Sequence, residues 1–112
     1  MANATDSIGI LQFALDAVVT QQQVIANNVA NQDTPGFQAS QVNFQSSLAQ
    51  ALQQGGAASV SVTPEGLPSG ANGNNVSMPS EMTLLQKNNL ENKTIDNALT
   101  SQFAILSAAL SA

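Results

Sequence analysis

The chain contains no cysteine, no histidine, no tryptophan and no tyrosine, and Lys87 and Lys93 are its only cations. Each gap removes a class of function. Without histidine or cysteine there is no imidazole base, no thiolate nucleophile and neither of the usual structural zinc ligands. The lack of cysteine also excludes a disulfide framework, although it leaves the compartment open. Two lysines against seven acidic residues give a net charge of −5. That balance disfavours nucleic acid, whose phosphates need a basic patch, and anionic membrane surfaces for the same reason. No run of about 20 apolar residues occurs, so no membrane span is expected. The first residues lack a basic stretch followed by an Ala-x-Ala cleavage site, so no cleaved signal peptide is expected.

What is present is small and polar. The 112 residues suit a single domain; 43% are hydrophobic, the four Phe are the only aromatics, and 8% are charged. Much of the hydrophobic content is Ala, so the core is thin and the folded monomer is expected to be marginal. Asn, Gln and Ser stand where charged residues usually cover a surface. Amides and hydroxyls are buried in an assembly at lower cost than charges once they find hydrogen-bond partners. A composition bias of the source is the alternative explanation. Asp6 and Asp16 are ten residues apart and fall on different helix faces, and Glu91 and Asp96 diverge likewise. Residues 70–75 lack the acidic ligands of a calcium loop. No catalytic residue, cofactor or metal site is expected, and the chain does not read as an enzyme.

The expected fold is all-α, with two long terminal helices pairing as a coiled-coil-like hairpin around a mostly irregular middle that holds one short helix. The zones are residues 1–31, an N-terminal helix; 32–76, a turn, short helix and flexible loop; and 77–112, a C-terminal helix. In the first, Asp6 or Ser7 is the candidate N-cap. Ile8, Leu11, Leu15, Val18, Gln22, Ile25 and Val29 step by alternating 3 and 4, a heptad seam with Gln22 as its polar member. Ile10, Phe13, Ala14 and Val19 broaden that stripe, so a core helix with a wide apolar face fits equally well.

Thr34-Pro35-Gly36-Phe37 ends the first zone. Pro fixes φ and Gly supplies positive φ, as a type II turn demands, and Pro35 drives Thr34 out of the helical region. Phe44, Leu48 and Leu52 mark a short helix over about 43–53, closed by Gly55-Gly56. Val60 to Thr63 alternates like a strand, but no partner is evident and Pro64 follows, so it reads as extended. Pro64 to Asn75 reads as a flexible loop. In the last zone Ser77 is the candidate N-cap, with Pro79 in the first turn and Glu81 near the positive helix end. Met78, Met82, Leu85, Asn89, Asn92, Asp96, Leu99, Phe103, Leu106 and Leu110 form a second seam, polar in its middle. The strongest seam residues are Leu11, Leu15 and Val18 on one helix and Leu99, Phe103, Leu106 and Leu110 on the other.

Ile25-Ala26-Asn27-Asn28-Val29-Ala30-Asn31, two residues, then Thr34-Pro35-Gly36-Phe37 resembles the N-terminal signature of bacterial flagellar rod and hook proteins. Gly73-Asn74-Asn75-Val76, with Met78 and Glu81-Met82 after it, resembles the segment opening the C-terminal helix of B-type proximal-rod members. The chain departs from the family pattern at Gln38 to Gln41, where Lys and Asp are common, and at Ser77, where an acidic residue is usual. The resemblance implies a structural subunit of the proximal rod of the flagellar basal body, passing torque from the membrane ring to the distal rod. It implies export through the flagellar type III apparatus without a cleaved signal, and residence in the periplasmic rod. The implied partners are further copies, other rod subunits, the membrane-ring protein and the rod–ring junction protein. Both motifs are then assembly-interface candidates: small Ala permits close helix approach, and the amides donate and accept across it. From the residues alone, Asn27 and Asn28 could equally face water and Asn31 could be a C-cap. A soluble helical adaptor or chaperone that binds partner helices is the alternative function.

Overall fold

Two long helices dominate the chain because its longest stretches without a helix-breaking Pro or Gly past the first turns lie at its ends, before Pro35 and after Pro79. The computed structural model describes residues 4–54 and 59–111, the side chains of residues 4–6 excepted. Its elements are α1 (Ala4–Ala30), β1 (Ser40–Val42), α2 (Phe44–Gln54), β2 (Val62–Pro64) and α3 (Met78–Ser111). The chain is mostly helical. It measures 64 × 23 × 14 Å, and α3 alone accounts for about 50 Å of that at 1.5 Å per residue.

The helix ends follow from local chemistry. Phe37 N–H donates to Thr34 O at 3.2 Å with Gly36 at φ 76°, the type II turn the Pro-Gly pair specifies. Ser77 caps α3: its Oγ accepts from the Ser80 N–H at 3.4 Å. Helix α1 is already formed at Ala4, so Asp6 and Ser7 lie within it instead of capping it. Gly55-Gly56, the expected end of α2, lies outside the described residues.

Helices α1 and α3 run antiparallel. Asn28 hydrogen-bonds Glu81 near one end of the pair, and Ala14 and Val18 pack on Ile95 toward the other. Leu15, Leu99, Phe44 and Leu48 close around that small core, and α2 packs against α1. The line of contact differs from the apolar seams. On α1 the buried polar residues are Gln21 and Asn28, and Gln22 is exposed. On α3 the buried positions are Glu81, Asn88 and Ile95, each seven apart, while Met82, Asn89 and Asp96 face outward. These inward positions thus lie one residue before the expected ones, and all but Ile95, namely Gln21, Asn28, Glu81 and Asn88, are polar. Leu11, Leu15 and Leu99 are half-buried and Val18 is fully buried, but Phe103, Leu106 and Leu110 are exposed.

The middle is more ordered than its composition suggests. Strands β1 and β2 pair antiparallel, with Ser40 opposite Pro64, Gln41 opposite Thr63 and Val42 opposite Val62. Asn43 N–H to Ser61 O and Glu65 N–H to Ala39 O extend the ladder at both ends. Val62 to Pro64 thus has the partner that its alternation lacked in sequence, and Pro64 sits where an edge strand tolerates it. Ser47 Oγ accepts from Ser61 N–H, tying α2 to the strand.

Because Ile95 is one of very few large apolar side chains inside, Ile95→Ala is expected to lower stability by about 2–5 kcal/mol. Thermal denaturation followed by circular dichroism measures it, with exposed Ile105→Ala changing little.

Candidate functional site

The two asparagine-rich motifs, far apart in sequence, meet. Gly36 and Gly73, both at positive φ (76° and 80°), touch backbone to backbone. A Cβ on Gly73 would lie 3.3 Å from the Gly36 Cα. Gly36 N–H donates to Asn72 O at 2.9 Å, and Asn75 N–H donates to Phe37 O at 3.2 Å. The Pro-Gly turn after α1 and the Gly-Asn-Asn entry to α3 therefore form one clasp, and the segment from Glu65 to Val76 is a strap hydrogen-bonded across it.

Four amides hold the clasp shut. Asn74 Nδ2 donates to Asn31 O at 2.8 Å and Thr34 O at 2.7 Å, adding a second donor to turn carbonyls that already accept the Thr34 and Phe37 N–H groups. Asn75 Oδ1 accepts from Ala39 N–H at 2.6 Å while its Nδ2 donates to Leu67 O at 3.0 Å. Gln38 Nε2 donates to Gly73 O at 2.6 Å. Asn28, fully buried, does most. Its Nδ2 donates to Ser40 O at 2.8 Å and Glu81 Oε1 at 3.1 Å, and its Oδ1 accepts from Ser40 N–H at 3.1 Å. One side chain thereby joins α1, β1 and α3.

These bonds sort the signature residues. Asn28, Asn74 and Asn75 are buried and bonded within the chain, so they form no part of its outer surface. The reason is that an amide beside a carbonyl-rich helix end finds backbone partners in its own chain first. Asn31 Nδ2 donates to Asn27 O at 2.8 Å, and its Oδ1 accepts from Thr34 Oγ1, which is the capping role. Ile25 is buried; Val29, Phe37 and Val76 are half-buried. Ala26, Asn27 and Ala30 face out, in line with exposed Val19 and Gln23, and Thr34, Pro35 and Gly36 are exposed at the turn. The last turns of α3 are bare: Phe103 is 52%, Ile105 63% and Leu110 79% exposed.

The sequence reading missed Glu65, and it placed Glu81 at the positive helix end without expecting its burial. Glu81 is fully buried, and Glu65 carboxyl stands within hydrogen-bonding reach of it. Burial first, then the Glu81 carboxyl beside it, push Glu65 up to about 7. Burial also raises Glu91, against the opposing pull of Lys87 and Gln21. The sequence signal for the burial of Glu81 was its place seven residues before Asn88 and fourteen before Ile95. Among the described residues no group of three potential metal ligands occurs, and no described helix is long and apolar enough to cross a membrane.

Asn28→Ala would leave the Ser40 peptide groups and Glu81 Oε1 without this partner, and is expected to cost about 3 kcal/mol or more in chemical denaturation. Gly66 and Gly73 both have positive φ, but a Cβ on Gly66 meets nothing within 4 Å. Gly66→Ala is therefore expected to cost about 1–2 kcal/mol, and Gly73→Ala clearly more, because the Gly36 backbone must also give way.

Residues 10–38 match the family model for the flagella basal body rod protein, spanning most of α1 and the Pro-Gly turn. Over 121 aligned residues the chain is 30% identical to a flagellar basal body rod protein FlgB of Aeromonas hydrophila, covering 93% of this chain and 92% of that protein. A FlgB of Bacillus subtilis is 30% identical over 98% of this chain and 97% of its own length. A FlgB of Yersinia enterocolitica reaches 40% identity over 49% of this chain, an alignment that spans 42% of the relative's length. With the clasp built from both motifs and two relatives matched almost end to end, the chain belongs to the flagellar basal body rod protein family.

Proposed function

We propose that this chain is a structural subunit of the proximal rod of the bacterial flagellar basal body, a passive link that carries torque from the membrane ring toward the distal rod. The observation that carries this reading is the match to two flagellar basal body rod proteins over nearly the whole chain. The division of the signature supports it further. Its inner residues lock α1, β1 and α3 into one unit, and its outer residues Ala26, Asn27 and Ala30 leave a smooth helix face. Small side chains there let a neighbouring helix approach closely, and Asn27 offers an amide to it. The exposed Phe103, Leu106 and Leu110 give α3 an apolar end suited to burial between subunits.

On this reading the α1–α3 pair is a coiled-coil-like core unit, and the lack of histidine and cysteine accords with a role that needs no catalysis. The partners are further copies of the chain, other rod subunits, the membrane-ring protein and the rod–ring junction protein. The route is the flagellar type III apparatus, without a cleaved signal peptide, to the periplasmic rod. A thin core that is easily unfolded suits passage through a narrow exporter.

Ala30→Trp tests the outer face. Because Ala30 is exposed, the substitution is expected to leave the unfolding free energy within about 0.5 kcal/mol of the parent while abolishing swimming and removing the protein from purified basal bodies. Normal assembly of the variant would show that this face is free in the rod.

A further inference from the structure

Two carboxyls meet inside the clasp with no cation between them. Glu81 Oε1 accepts from Asn28, but its Oε2 is buried without a partner, and so is Glu65 Oε2. Among the described residues nothing else packed there can neutralise them. From α1 comes the Asn28 amide, and from β1 the Ser40 peptide, neither of them titratable. On α3 the nearest cation in sequence is Lys87, whose charge bears on Glu91, and Lys93 is exposed. Two buried orphan oxygens on facing carboxyls need one hydrogen between them, because a buried acceptor without a donor is costly and two adjacent buried charges more so.

We propose that Glu65 and Glu81 share a single proton, and that this proton is a latch holding the strap of residues 65–76 against α1 and α3. The strap begins at Glu65, whose own N–H is bonded to Ala39 O. It ends at Val76, five residues before Glu81. Loss of the proton places two like charges at the point where the strap is anchored, beside Asn28. Glu65 also lines an open cleft of about 430 Å3 with Gln41, Leu67, Pro79 and Thr83, so solvent stands beside the pair while the two Oε2 atoms stay buried. The latch concerns the interior and is independent of what binds the outer face.

The direction with pH follows from the raised Glu65. A carboxyl that holds its proton more tightly in the fold than in the unfolded chain stabilises the fold fully below the ordinary carboxylate range. That contribution is lost as pH rises through about 7.

The test compares the full chain with Glu65→Gln, which replaces the shared proton by a permanent amide donor. The expected result is a melting temperature for the parent that falls by several degrees between about pH 5 and about pH 8, and a fall at most half as large for E65Q. Glu91→Gln serves as the control for the other raised carboxyl and should retain the part of the fall that E65Q removes. Carbon-13 NMR of the glutamate carboxyls supplies a second readout: one signal absent from E65Q should titrate near neutrality in the parent. Three results would overturn the latch: an undiminished fall in E65Q; glutamates that all titrate in the ordinary range; or millimolar calcium or magnesium stabilising the parent, but not E65Q, at the higher pH. The last would assign the gap to a divalent cation.

Discussion

A single buried amide, that of Asn28, fixes the geometry on which the rest of the molecule depends. An amide both donates and accepts, and here it uses both capacities at once. It completes the peptide groups of Ser40 on β1 and holds the carboxyl of Glu81 on α3. Neither a hydrocarbon nor a carboxylate of the same size could do so. The placement of β1 then fixes β2, and β2 leads into Glu65 and the strap. The register of α3 against α1 is set at the same point, since Asn28–Glu81 and Ala14–Ile95 lie fourteen residues apart on both helices.

This arrangement accounts for a composition rich in amides and poor in charge. The apolar core of Ala14, Val18 and Ile95 is too small to specify how a 34-residue helix lies on a 27-residue one. Hydrogen bonds with fixed directions supply that specificity instead. Buried amides hold this register more cheaply than ion pairs would, because their desolvation cost is smaller and backbone partners stand nearby. The result separates two tasks along α1. Its inner face, through Val18, Gln21, Ile25 and Asn28, is committed to the chain itself, and its outer face, through Val19, Ala26 and Ala30, remains open.

Much of the local structure was legible in the residues. The Pro-Gly pair specified a type II turn, Ser77 specified the cap of α3, and the Phe44–Leu48 spacing located α2, because each rests on neighbours within a few positions. The inward faces of the helices were not legible in the same way. Counting apolar residues selected Gln22, Met82 and Asn89, whereas the fold buries Gln21, Glu81 and Asn88. A polar residue is acceptable inside only if a partner exists, and the partner of Glu81 lies 53 positions away at Asn28. Strand β2 was hidden for the same reason: its alternation was visible, but its mate at Ser40–Val42 was not.

The sequence by itself determined a helical chain without histidine or cysteine chemistry, two long helices, the turn between α1 and β1, and membership in the rod family through two motifs. Those properties are local or compositional, so no contact is needed to infer them. Only the tertiary structure decided what the motif asparagines do, since an amide has the same chemistry on a surface and in a clasp. It turned a loop of Gly, Pro, Ser and Asn into a bonded strap by bringing Gly73 onto Gly36. It also set Glu65 against Glu81, sixteen residues apart in sequence, creating a carboxyl pair that no spacing rule describes.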